Sequence, residues 1–262
     1  MDLATVAGIG LALGAVFGSM IMEGGNPAAL IAPPAMILVI LGTLGATMTG
    51  YTMKDVTGIA KVFLKAIMPG PPPDTTETIG QMVAFADKAR RDGLLALEDE
   101  AKSIEDPFLK RGIQMAIDGT DPEVVRDVLE TEVAAIKERH KVGASFFANM
   151  GAFAPTLGII GTVLGLVHML ENLSDPSSMG PLIAGAFVAT LWGVMTANLI
   201  YLPISNKLKR SSAEEVAFKE LVLEGVLAIQ AGANPRAVGE KLKSFLPPKE
   251  REEHDEGERK SA

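Results

Sequence analysis

Charge placement constrains this chain more than any other feature. Residues 3–22, 24–53, 142–170 and 176–206 contain no Asp, Glu, Lys or Arg. Each stretch is long enough for the roughly 20 residues that cross a bilayer as an α-helix. The remainder is polar and strongly charged, so the 48% hydrophobic content is concentrated rather than spread. An ordinary soluble enzyme does not divide its apolar residues in this way. No alternating strand pattern and no internal repeat is present. The expected fold class is all-α: a polytopic membrane protein with four transmembrane helices and a helical cytoplasmic domain.

Basic residues set the orientation. Of the 24 Lys and Arg, 13 fall between Lys54 and Lys141 and 11 between Lys207 and Lys260. The short connections 23–34 and 171–179 carry none. The positive-inside rule puts those connections outside, and the middle segment and both termini in the cytoplasm. The expected organisation is transmembrane helices 1 and 2 in 1–53, a cytoplasmic helical domain in 54–141 and transmembrane helices 3 and 4 in 142–206. Cytoplasmic C-terminal helices follow in 207–246, and a disordered charged tail in 247–262. The opening MDLATVAGIG lacks the basic start of a signal peptide, and its apolar run is too long for one, so the first span is expected to be retained.

Outside the spans the periodicity is helical. Val62, Phe63 and Ile67 alternate with lysines, which suits a short amphipathic helix at the inner membrane surface. The PGPPP run then stops it. Ile79, Met82, Val83 and Ala86 form one apolar face before a break at Gly93. Short helices are expected at 94–103 and 107–117. Asp121 caps the next helix, with Pro122 at its first position. Val125, Val128, Leu129, Val133 and Ile136 carry its apolar face, and no breaker intervenes before Gly143, so it should run into span three. Span four should likewise continue through SNKLKR, with Phe218, Leu221, Val222, Gly225 and Ile229 facing inward. Asn234-Pro235 starts a last helix.

Several function classes drop out. Cysteine is absent, which excludes disulfides, zinc-thiolate sites and a cysteine nucleophile. There is no P-loop and no HExxH, and the three histidines His140, His168 and His254 are scattered, so no catalytic or metal-binding residues are expected. The net charge of −8 argues against nucleic acid as a partner.

Within the spans, small residues dominate. Gly8, Gly10, Gly14 and Gly18 in span one and Gly42, Gly45 and Gly50 in span two read as packing positions. In APTLGIIGTVLGLVHML, Pro155, Gly158, Thr162 and Gly165 share one helix face. Ala186, Thr190, Gly193 and Ala197 do the same in span four. Two readings stand. One is close helix packing with each threonine bonded to its own backbone. The other is a surface facing another protein's helix, with Thr162 and Thr190 offering oxygen atoms to an ion or a water. Ion carriers use an intramembrane ionisable side chain, and here only His168, near the outer end of span three, is a candidate. If this protein moves ions, a partner must supply the protonatable group.

APTLGIIGTVLGL, followed by AFVATLWGVMTANLIYLPISNKLK, resembles spans three and four of the flagellar motor stator A subunits, the MotA/PomA family. That family is related to the ExbB/TolQ proton channels. MEGGNPAALI and ILVILGTLGAT are similar to its first outer loop and second span. ARRDGLLALEDE is similar to its cytoplasmic charged motif, and GANPRAVGEKLKSFL to its C-terminal element. The resemblance covers nearly the whole chain, up to Leu246.

The resemblance implies a stator subunit of the bacterial inner membrane that couples ion flow to torque. It implies a homo-oligomer, held to be a pentamer, around single-span MotB/PomB-type subunits whose Asp binds the ion. No cofactor is implied, and the transported ion is H+, with Na+ as the alternative. Thr162, Thr190, Pro155, Gly158, Gly165, Ala189 and Gly193 would line the ion path, with Pro155 shaping it. Pro203 would couple span four to the cytoplasmic domain. Arg90 and Glu98 match charges that contact the rotor protein FliG, with Arg91 and Asp99 assisting. Ala189 before Thr190 is similar to proton-type members, whereas Thr162 is similar to sodium-type ones. An ExbB/TolQ-like energiser of an outer-membrane process has three spans and lacks the ARRDGLLALE hairpin. A structural membrane scaffold is the third reading.

Overall fold

The computed structural model describes residues 2–70, 73–248 and 251, and every regular element among them is helical. The chain forms two compact units, Met1–Gly70 with His140–Arg210 and Pro71–Arg139 with Ser211–Ala262. The charged tail expected to be disordered lies largely outside the described residues, as do Pro71 and Pro72 of the PGPPP run.

The first unit holds the apolar helices. Three are long and apolar enough to cross a membrane: α1 (Leu3–Met22), α7 (Pro122–Glu171), whose last part belongs here, and a continuous helical stretch Pro176–Gln230. That last stretch comprises α8 (Pro176–Thr196), a π-helical turn (Ala197–Tyr201) and α9 (Leu202–Gln230). The fourth apolar helix, α2 (Pro33–Met48), has 16 residues. At 1.5 Å per residue it measures ~24 Å, less than the ~30 Å hydrocarbon core. The charge-free window around it is longer, but Pro33 and Pro34 open the helix. At the other end a new N-cap at Thr52 closes it, where Thr52 and Asp55 form a reciprocal capping box.

That capping box starts α3 (Met53–Ile67). The amphipathic helix expected there forms, but the apolar face named from sequence turns inward. Val62 and Phe63, with Val56 and Ile59, pack on a core of Ala66, Phe146, Phe147, Met150, Ala154, Ala197, Tyr201 and Ile204. Gly143 sits against Val62, where an added Cβ would lie 3.0 Å from Val62 Cγ1. At the N-terminus of α1, the Asp2 carboxylate accepts hydrogen bonds from Lys207 Nζ and the Thr5 hydroxyl. The Asp2 amide donates to Ile67 O at 2.9 Å. The Lys207 bond, then that of Thr5, holds the Asp2 carboxyl down at about 2.

The second unit is a small helical domain. It contains α4 (Thr75–Asp92), α5 (Glu98–Ser103), α6 (Pro107–Ile117), α10 (Pro235–Lys243) and the remaining parts of α7 and α9. Side-chain caps set the helix starts. Asp74 accepts from Glu77 N at 2.9 Å, Asp106 from Leu109 N at 2.8 Å and Asn234 from Arg236 N at 2.9 Å. The core joins Ile79, Met82, Leu97, Phe108, Ile113, Leu129, Leu221, Ile229 and Leu242. Val125, Leu129, Val133 and Ile136 face inward as their spacing predicts, whereas Val128 is exposed. The single helix expected over 94–103 is instead a 3-10 turn, Leu94–Leu97, followed by α5.

Candidate functional site

The two small-residue stripes, on α7 and α8, meet each other. A Cβ added at Gly193 would lie 2.6 Å from Ala154 O and 3.1 Å from Gly158 Cα. One added at Gly158 would lie 3.0 Å from both Ala189 O and Thr190 Cα. At Gly165 it would lie 2.7 Å from Ala186 Cβ. The backbones of α7 and α8 therefore touch, an approach that only glycine permits at these positions. Ala189 belongs to the same seam, buried against Gly161.

At the middle of the seam the two threonines are brought together. Their hydroxyls hydrogen-bond each other. Thr162 Oγ1 also lies 3.1 Å from Ala186 O and 3.2 Å from Gly158 O, and Thr190 Oγ1 lies 3.3 Å from Gly158 O. Two hydroxyls own two hydrogens. One serves the bond between the threonines and the other serves a carbonyl, so either threonine can be the donor of the pair. Both side chains are half-buried. Beside the seam, α7 exposes Phe153, Ile159, Val163, Leu166 and Val167, and α8 exposes Phe187 and Val194. The seam itself is thus filled from within the chain, and its open flank is apolar.

The two prolines sit differently. Pro155 lies half-buried inside α7, two turns before the threonine level. Pro203 is exposed and stands two residues past the last residue of the π turn, Tyr201. Lacking an N–H, Pro203 gives Leu199 O no helical partner. The helix widens just before it, and the Leu202 amide donates to Ala197 O, five residues back.

The charged hairpin of the second unit is built around Gly93, whose φ of +85° ends α4 and lets the chain reverse. Arg90 and Arg91 end α4, and Glu98 and Asp99 begin α5; all four are exposed. Arg91 pairs with Asp87 at 2.7 Å and Asp99 with Lys102 at 2.8 Å. The Lys102 hydrogen bond holds the Asp99 carboxyl below its usual range. Among the described residues, Arg90 and Glu98 make no side-chain hydrogen bond or ion pair. Lys88 and Glu100, paired with each other, tie the hairpin's two arms together.

Over residues 100–220 the chain matches the MotA/TolQ/ExbB proton channel family, and over residues 6–93 it matches the motility protein A N-terminal region. Motility protein A of Bacillus subtilis is 38% identical across 96% of this chain and 93% of its own length. This chain belongs to the motility protein A family. Chemotaxis protein PomA of Vibrio alginolyticus, also similar, is 36% identical across 94% of this chain and 96% of that protein. A chain of the flagellar MotAB stator complex from Bacillus subtilis superimposes with a TM-score of 0.89 at 37% identity, covering 95% of this chain and 98% of that one. Motility protein A and its kin are membrane-embedded channel and motor subunits, not enzymes.

Several features of this chain escaped the sequence. Gly161 and Ala154 complete the α7–α8 seam, and neither lies on the stripe picked out by spacing. Trp192 Nε1 donates to Leu30 O at 2.8 Å, fixing the 3-10 turn Pro27–Leu30 against α8. Thr43 and Thr47 are fully buried in α2, Thr47 bonding Thr43 O at 2.8 Å. The π turn has one sequence signal, Pro203, which alone does not distinguish a kink from a widened turn.

Proposed function

We propose that this chain is the A subunit of a bacterial flagellar stator, joining a single-span MotB/PomB-type partner to form an ion channel that drives torque. The observation that carries this reading is the full-length likeness to a chain of the MotAB stator complex. Spans three and four hold threonines but no carboxylate, and an ion path through a bilayer needs an ionisable group. The partner's Asp supplies it. In this reading α2 also crosses the inner membrane, giving four spans, with both termini and the second unit in the cytoplasm. Several copies, five in the family pattern, surround the partner helices.

Thr162, Thr190, Pro155, Gly158, Gly165, Ala189 and Gly193 shape the wall beside the partner's Asp. The glycine seam keeps α7 and α8 moving as one body, and the threonine pair is its polar point. Protons are the coupling ion in this proposal. A sodium ion stripped of water requires several oxygen ligands, whereas the two hydroxyls here are engaged with each other. Pro203 couples span four to the cytoplasmic unit. Arg90 and Glu98, with Arg91 and Asp99, meet FliG. Exposed charges orient a moving partner without the persistence of an apolar contact. The match of 6–93 to the motility protein A N-terminal region favours this role over an ExbB/TolQ-type energiser.

The test is co-expression with a single-span partner in a host lacking its own stator, recording ion uptake and swimming. Exchanging the partner's membrane Asp for Asn is expected to abolish both. Undiminished flux and swimming after that exchange would overturn the proposal.

A further inference from the structure

Helix α3 has a face that the protein core does not use. Its inward face carries Val56, Ile59, Val62, Phe63 and Ala66. On the opposite side Lys54, Lys61 and Lys65 stand at i, i+7 and i+11, within a ~40° sector of a helix with 3.6 residues per turn. All three are exposed, and among the described residues none of their ammonium groups makes a hydrogen bond or ion pair. Next to this row runs an exposed apolar strip, with Met53 at 69%, Leu64 at 58% and Met68, just past the helix end, at 48% exposure.

Both ends of α3 are tied to apolar helices. Its first residue, Met53, follows the end of α2 at Met48 by five positions, a reach of ~18 Å at most. At its other end, Ile67 O accepts the Asp2 amide immediately before α1 begins at Leu3. The helix therefore lies at the level where two apolar helices leave the bilayer. At that level an apolar strip meets acyl chains and a lysine row meets headgroups.

We propose that α3 is a binding surface for anionic phospholipid. Leu64, Met53 and Met68 enter the acyl boundary, and Lys54, Lys61 and Lys65 hold the phosphate groups. The charge decides the class of lipid: three unpaired ammonium groups in one row favour an anionic over a zwitterionic headgroup. Bound lipid then fixes α3, and through Asp2 the start of α1, against the membrane surface. The proposal rests on the membrane placement of the first unit but not on which side of the membrane α3 faces.

The test uses the full-length chain, delipidated in neutral detergent. It is titrated with fluorescent phosphatidylglycerol and, separately, with phosphatidylcholine of identical acyl chains. Phosphatidylglycerol is expected to bind at least tenfold more tightly at low salt, with the preference shrinking as ionic strength rises. The triple variant Lys54→Gln, Lys61→Gln, Lys65→Gln loses the preference, at roughly fivefold per lysine. The triple Arg variant keeps it. Equal binding of the two lipids by the unaltered chain overturns the proposal, as does a preference that survives in the Gln variant. The salt titration of the unaltered chain decides the matter if the Gln variant fails to fold. Detergent offers lipid to every face, so a negative result here leaves the stator role and its orientation untouched.

Discussion

The hydroxyl of Thr162 on α7 is hydrogen-bonded to that of Thr190 on α8, a partner 28 residues along the chain. The bond makes each threonine's proton the business of both helices. Thr162→Ala removes one hydroxyl and leaves Thr190 with Gly158 O at 3.3 Å as its acceptor. The expected stability cost is about 1 kcal/mol, too small to prevent membrane assembly. Ion flux is expected to fall several-fold and its ion dependence to change, whereas Thr162→Ser restores both. Flux measured in vesicles with the partner subunit checks this; an unchanged ion response in the Ala variant reduces Thr162 to packing.

Glycines in the seam are expected to differ sharply from glycines outside it. Gly193→Ala places a methyl 2.6 Å from Ala154 O. The helices must separate, at a cost of about 1–3 kcal/mol. Gly14→Ala, with nothing within 4 Å of the added carbon, is expected to be neutral or slightly stabilising within this chain. Thermal unfolding of both variants in detergent compares them directly.

Arg90 and Glu98 are exposed, and neither is engaged in an ion pair among the described residues. Arg90→Glu or Glu98→Lys is therefore expected to shift stability by no more than about 0.5 kcal/mol. Torque in a tethered-bead assay is expected to fall by roughly half or more through lost complementarity to the rotor. Membrane levels on an immunoblot should not change. A drop in membrane level equal to the drop in torque would make these side chains structural instead.

Acid is expected to weaken the second unit through Glu224. Its carboxylate accepts from Lys241 and, at 3.1 Å, from Arg126. The Lys241 bond, aided by that of Arg126, outweighs partial burial and holds the carboxyl below its usual 4.5. A carboxyl lowered by folding contributes stability that is fully present above its unfolded value and is lost as pH falls through the folded one. Glu224→Gln should lower stability by about 0.5–1 kcal/mol at neutral pH and flatten the acid limb below about pH 4.5. Unfolding followed by circular dichroism against pH checks both effects.

The helices were largely legible because their signals are local. Pro107, Asp121 with Pro122, and Asn234 with Pro235 mark starts that the structure keeps. What fills a helix face was not legible, because periodicity identifies a face and not its neighbour. The stripe of Pro155, Gly158, Thr162 and Gly165 was open to packing or to a foreign helix, and the chain's own α8 occupies its glycines. Val62 and Phe63 suited a bilayer as well as a core, since both are apolar, and the core took them. The charge-free window 24–53 exceeds α2 for a different reason. A charge-free window counts residues, whereas the prolines and the Thr52 cap decide how many of them are helical.

The π turn at Ala197–Tyr201 winds one residue of surplus into the helix that continues α8. One turn there holds a residue more than an α-turn needs, and Pro203 fixes where the surplus is stored. If the turn tightened to α, everything beyond it would advance by ~1.5 Å and screw round by ~100°, with no side chain leaving the helix and no loop required. Pro203 cannot supply the N–H that such tightening would need at Leu199 O, so the offset is wound permanently into the rod at the foot of the helix that carries Thr190.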